Sequence, residues 1–257
     1  IHSRHGVARV LTVTGDGMPV CLQWNQPQGG PDRVACLNPD GSERWCFVPV
    51  LGEYQSLDTC EAAPGLALVY NRISPRQDTS IWVLNADSGE VIHHRIMAAA
   101  DGMVSLLWVE ELQRYAVNAL GTNEMVMLDE ALREVKRWPL GENKVRFDMM
   151  THLRGSMLWN YHGQNGNIIG LNLATGHMTR ITLEIPAILA DVTVQGQLLC
   201  FGSGANHQLL CFDMTGKLTA RLRETNIQEI ICGEDGTYLV RFNPAAEKIT
   251  VCRLAPA

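Results

Sequence analysis

Four carboxylates in this chain of 257 residues, Asp58, Asp148, Asp191 and Glu229, could work together if the fold brings them to one place. Asp58, Asp148 and Glu229 each precede a glycine (Gly65, Gly155, Gly236) by seven residues, so equal heights on equivalent strands are expected. Set around one channel, four such groups would offer oxygen ligands to a Ca²⁺-like ion. They would also offer acid/base pairs whose environments separate their pKa values. Arg9 and Ser105 fall on the same ring, and Arg9 would neutralise one carboxylate. A water-filled channel needs a polar lining whatever its chemistry. The expectation is therefore a polar ring with no resident cofactor, and Ca²⁺ in the channel is the alternative.

Histidine adds little. His93 and His94 are adjacent on a strand, so they point to opposite faces and cannot chelate one ion together. His162 takes the place held elsewhere by Asn25, Asn71 and Asn243, and is expected to hydrogen-bond at a strand end. His152 and His207 have no partner at a recognisable spacing, and His2 and His5 lie near the first residue. No phosphate loop, dinucleotide fingerprint, zinc-protease helix or nucleophile elbow occurs, and Ser203 in "GSGAN" reads as a loop.

The elements that must position these residues repeat. "LNPDGSERW", "LNADSGEVI", "LNLATGHMT" and "FDMTGKLTA" are one phrase. Its apolar anchor recurs at Leu37, Leu84, Leu128, Leu171 and Phe212, with Arg253 at the sixth place, at separations of 47, 44, 43, 41 and 41 residues. A short polar residue follows (Asn38, Asn85, Asp129, Asn172, Asp213) and can hydrogen-bond along the turn. Then comes a glycine able to take positive φ (Gly41, Gly89, Gly176, Gly216). The third copy, "VMLDEALREVKRW", lacks it, so its turn is expected to differ. Upstream of most copies, an apolar run ends in an aromatic: Trp24, Tyr70, Tyr161, Phe201 and Phe242. A further apolar run precedes that one. Four short strands per period of 40 to 50 residues is the pattern of a propeller blade.

The phrase resembles the repeat of pyrroloquinoline-quinone-type (PQQ-like) propellers, in which an Asp-x-x-Thr-Gly turn precedes a tryptophan. It is similar as well to NHL and bacterial WD40-like repeats. Only Trp45 matches the quinoprotein tryptophan; Ile92 and Thr179 stand at the corresponding places. The resemblance therefore implies the fold, and it does not imply a quinone cofactor.

The expected fold is all-β, a single β-propeller domain over 1–257 with six four-stranded blades near 7–52, 53–100, 101–140, 141–186, 187–226 and 227–257. The last period has room for three strands, so residues 1–6 are expected to close it, or the blade is incomplete. The net charge of −6 argues against a nucleic-acid partner. No segment has the roughly 18 apolar residues a membrane span needs. Eight cysteines show no metal-binding spacing. Cys36, Cys211 and Cys252 fall where other repeats carry Val83, Met127 or Gly170, as small core residues would. Reduced thiols and the lack of a signal-peptide pattern point to the cytoplasm. Trp82, Trp108, Trp138 and Trp159 are assigned to packing between blades.

The longest loops, 23–33 and 70–80, occupy the same place in the first two blades and carry Arg33, Arg72 and Arg76 beside Trp24 and Tyr70. Long loops on one rim favour binding, and arginine is enriched at interface cores. The sequence thus points to a non-catalytic protein-interaction scaffold inside a larger complex or parent chain. The alternative is a metal-dependent enzyme or a sugar- or small-molecule-binding propeller that uses the channel carboxylates.

Overall fold

The computed structural model describes residues 2–3, 6–24, 31–50, 56–60, 62–72, 78–141, 147, 152–162, 167–193, 195–202, 208–222, 227–233, 236–243 and 248–253. The fold is an all-β propeller of six antiparallel sheets, and the chain divides into two compact units, Ile1–Lys144 and Val145–Ala257.

The first unit holds three sheets. Sheet one contains β1 (His2–Ser3), β2 (Gly6–Val13), β3 (Pro19–Trp24), β4 (Arg33–Leu37) and β5 (Glu43–Phe47) in that order. Sheet two contains β6 (Ser56–Cys60), β7 (Leu66–Arg72), β8 (Thr79–Asn85) and β9 (Val91–Met97). Sheet three contains β10 (Met103–Val109), β11 (Arg114–Ala119), β12 (Glu124–Leu128) and β13 (Glu134–Pro139).

The second unit holds the other three. Sheet four contains β14 (His152–Arg154), β15 (Met157–His162), β16 (Asn167–Asn172) and β17 (Met178–Thr182). Sheet five contains β18 (Ala187–Val192), β19 (Leu198–Gly202), β20 (Leu209–Phe212) and β21 (Leu218–Leu222). Sheet six shows three strands among the described residues: β22 (Ile227–Gly233), β23 (Gly236–Asn243) and β24 (Lys248–Arg253).

One expectation is corrected here. His2 and Ser3 pair with Val7 and Gly6 as a short hairpin on sheet one, so they do not supply a fourth strand to sheet six. A return this short is satisfied by pairing with its own neighbour in the chain.

Second and third strands are mostly apolar because both of their faces are covered; β4 and β12 are buried along their middles. Fourth strands alternate, as one-sided burial requires, and β9 ("VIHHRIM") is mostly exposed. Val20, Leu22, Val34 and Cys36 of sheet one pack with Ala67, Val69 and Leu84 of sheet two. Leu68, Ile81 and Val83 pack with Trp108, Tyr115, Val126 and Leu128 of sheet three. In the second unit Trp159, Ile168 and Ile181 meet Leu198, Cys200 and Phe212. Leu199, Leu209 and Cys211 meet Ile230, Cys232 and Leu239.

The repeated phrase forms the hairpin between third and fourth strands. Asn85 Oδ1 accepts the N–H groups of Asp87 and Ser88, and Asn172 Oδ1 those of Ala174 and Thr175. The third copy does not differ as expected. Its bonds, Asp129 N–H to Arg133 O and Leu132 N–H to Asp129 O, repeat those of Asn38 with Ser42 and Gly41 with Asn38. Leu132 adopts φ 60° where Gly41 has φ 82°. The side chain is what holds that backbone. Leu132 is buried in the core of sheets two and three, and its carbonyl accepts Arg95 Nη1 at 2.9 Å.

Gly170 has a different reason to be glycine. It pairs across the sheet with Trp159, whose ring occupies the space a Cβ would need. Gly170→Ala is therefore expected to cost about 1–3 kcal/mol by overpacking, read as a lower denaturation midpoint. An unchanged midpoint would contradict the placement of the Trp159 ring.

All eight cysteines are free thiols, and Cys21, Cys36, Cys200, Cys211 and Cys232 are buried. Burial pushes Cys200 up to about 12 and Cys232 up to about 11. Neither carries the thiolate that reactivity needs. Titration with a chromogenic disulfide reagent should count eight thiols after denaturation, with exposed Cys46 reacting well before Cys200 in the native protein. A count below eight would reveal a disulfide that this fold does not form.

Candidate functional site

Two of the channel-ring carboxylates, Asp191 and Glu229 of the second unit, do not stand at one level. In β18 a bulge falls between Leu189 and Asp191, and Asp191 pairs with Leu199, one step beyond the turn-closing pair Val192–Leu198. In β22 a bulge falls between Ile227 and Glu229, and Glu229 pairs with Val240, four steps beyond Gly233–Gly236. At the rise of a strand, three steps separate the two heights by about 10 Å. Counting back from a glycine assumes unbroken strands, and the bulges break that count.

Asp58 lies in the first unit, half-buried on β6, and its Oδ1 accepts the Thr59 N–H at 2.8 Å. Asp148 lies outside the described residues. Arg9 is exposed on β2, and Ser105 follows a bulge on β10. Among the described residues, no three His, Cys, Asp or Glu side chains form a group that could hold a metal ion.

Asp191 joins three sheets of the second unit. It is 5% exposed, and its carboxylate receives Arg154 Nη2 at 2.9 and 2.8 Å. His152 Nδ1 lies 3.4 Å from Oδ1. The N–H groups of Val192 and Cys232 donate at 2.7 and 3.1 Å. Arg154 Nε also donates to Val192 O at 2.7 Å. Burial opposes ionisation of this carboxyl. The hydrogen bonds from His152 and Val192, the Arg154 charge and the Cys232 N–H outweigh burial and hold it below the ordinary carboxylate range. With its lone pairs so occupied, Asp191 acts as a staple between sheets. Sequence reasoning left His152 without a partner because Asp191 is in the next repeat.

The loop face of sheets one and two is built differently. Loop 25–30 joins β3 to β4, and loop 73–77 joins β7 to β8; both loops and Arg76 lie outside the described residues. Their bases are described. Trp24 and Tyr70 end the apolar runs of β3 and β7, half-buried against the cores between sheets one and two and between sheets two and three. Asp32 Oδ2 accepts the Leu57 N–H at 3.0 Å, tying the base of the first loop to the inner strand of sheet two. Arg72 ends β7.

Arg33 is engaged within its own sheet. Its Nε donates to Gln23 Oε1 at 2.8 Å, and its Nη2 is paired with Glu43. Arg33 thus fixes the start of β4 and is committed before any partner arrives. Trp82 stacks on His94 at 5.4 Å, and Phe47 meets Trp82 edge-on at 5.9 Å. Trp108 and Trp159 are core residues.

Comparison with known proteins finds no matching family model and no matching curated protein. Solved structures do match. Virginiamycin B lyase from Staphylococcus aureus, a catalytically inactive variant with quinupristin, gives a TM-score of 0.57 at 12% identity, over 98% of this chain and 85% of that one. BamB from Moraxella catarrhalis gives 0.52 at 13%, over 97% and 86%. KlHsv2 with one loop replaced by a Gly-Ser linker gives 0.60 at 10%, over 98% and 85%. These likenesses show the β-propeller fold and nothing finer, since a propeller hosts catalysis as readily as binding. Among the described residues, no helix is long and apolar enough to cross a membrane.

Proposed function

We propose that this propeller is a non-catalytic protein-interaction scaffold that binds another polypeptide through the loops of sheets one and two. The observation that carries this reading is the Asp32–Leu57 hydrogen bond, which ties the base of one loop to the neighbouring sheet. Fixing the base of a loop on a packed sheet lowers the conformational freedom that docking a partner must remove. Trp24 and Tyr70 serve as aromatic anchors below them, and Arg72 and Arg76 as the cationic contacts. Arg33 positions β4. No cofactor is required, and the reading places the protein in the cytoplasm with its thiols reduced. Calcium addition is expected to leave the melting temperature unchanged; a saturable rise would favour a metal-binding channel instead.

Photo-crosslinking tests the face directly. A photoreactive amino acid at Gln28 or Gln77 should trap the same partner in native lysate. The same group at Ser88, at the other end of β8, should trap none. Equal capture from all three positions, or capture from Ser88 alone, would overturn the reading.

A further inference from the structure

Sheets one and two meet near their outer strands in an aromatic seam. Trp45 and Phe47, two residues apart on β5, share the face turned to sheet two and pack on the core that holds Val34 and Leu84. On sheet two, Trp82 stacks on His94 within 6° of parallel and meets Phe47 edge-on. Ile96 stands two residues beyond His94 on that face and is 58% exposed. His94 is exposed as well, whereas Trp82 and Phe47 are half-buried. The rings therefore form a strip that the core does not fully cover.

Three features say what this strip accepts. Among the described residues, its charged neighbours are turned away: Arg33 and Glu43 pair with each other beside Gln23, and Arg95 of β9 bonds to Leu132 and Glu134 of sheet three. A donor is left over. The Trp45 ring lies against Gly89 of the turn between β8 and β9, and its buried indole N–H has no acceptor. Such a group favours a ligand that brings a carbonyl to it. The strip also continues the loop face. Phe47 pairs with Val34 just after the first loop, and Ile96 with Ser80 just after the second.

A proline-rich segment has the matching chemistry. Its extended helix makes no internal hydrogen bonds and proline has no N–H, so its carbonyls are acceptors that need donors. Its rings pack in aromatic-lined grooves, and its stiffness limits the entropy lost on docking. A charged segment finds no counter-charge here. The geometry points to the seam of Trp45, Phe47, Trp82, His94 and Ile96 as the docking site for a proline-rich segment of the partner polypeptide. Proline rings sit against Trp82 and Phe47, and a carbonyl of the segment accepts the Trp45 N–H. The proposal rests on the loop-face reading, from which the seam continues, and names the chemistry of the partner's adjoining stretch.

The indole N–H signals of the full chain, followed by NMR during titration with a synthetic polyproline peptide, test it. The Trp45 and Trp82 signals should shift saturably, and those of the core residues Trp108 and Trp159 should not. Ile96→Glu should weaken binding by about tenfold or more without lowering the melting temperature, because that side chain is already exposed. Arg72→Glu/Arg76→Glu should leave peptide binding unchanged, which separates failure of the loop face from failure of the seam. No saturable shift, an equal response to a glycine–serine peptide of the same length, or binding indifferent to Ile96→Glu would overturn the proposal. So would a Trp82 signal that moves with protein concentration alone, which would seat a second copy on the seam.

Discussion

Asp191→Ala is expected to cost about 3 kcal/mol, at the low end for breaking a buried ion pair by removing one partner. The variant leaves the Val192 and Cys232 N–H groups without their acceptor and the Arg154 guanidinium without its counter-charge. At this chain length, that loss lowers the melting temperature by roughly 10 °C. Arg154→Met should cost less, about 1 kcal/mol, because the guanidinium side chain is 32% exposed and water replaces part of the interaction. A smaller effect for Asp191→Ala than for Arg154→Met would contradict the staple.

The pH dependence of this effect has a definite sign. Folding lowers the Asp191 carboxyl from its ordinary value, so its contribution is fully present above the unfolded pKa of about 4. It fades as pH falls through the lower folded value. The stability gap between the native protein and Asp191→Asn should therefore be widest near neutrality and narrow below about pH 4. A gap that stays constant to acid pH would mean that the carboxylate is not held ionised by its neighbours.

Leu132 carries the second large effect. Leu132→Ala removes a buried side chain that packs between sheets two and three and should cost about 3 kcal/mol. The ordering of variants is the sharper test. At φ 60° a Cβ is unfavourable, so Leu132→Gly loses the same packing but relieves about 1 kcal/mol of backbone strain. The expected order of stability is leucine, then glycine, then alanine, the reverse of the usual alanine-over-glycine preference. If alanine proves as stable as glycine, the left-handed turn at Leu132 is wrong.

The propeller was legible because its information is local. The phrase around Asn85, Asn172 and Asp213 encodes a hairpin through a side-chain oxygen and a glycine a few residues later, and both can be read without tertiary contacts. Leu132 shows the limit of that logic. A glycine-less turn adopts the same backbone when a buried side chain and the Arg95 bond hold it there. The relative heights of Asp191 and Glu229 were not legible for a related reason. The bulges before Asp191 and Glu229 shift each residue's height by amounts that no sequence spacing records. His152 and Arg154 meet Asp191 across a repeat boundary, where separation along the chain says nothing about proximity. The pairing of His2 and Ser3 was not legible either, because so short a segment can pair locally with β2.

The central claim, that the loop face of sheets one and two binds another polypeptide, is tested most directly by quantitative affinity capture from native lysate. The baits are the native chain and the Arg72→Glu/Arg76→Glu variant, each with and without a chelator, read by mass spectrometry. The account predicts a stoichiometric partner that the variant retains at least about tenfold less and the chelator does not affect. Retention of the same partner by the variant, or its loss on chelation alone, would contradict it.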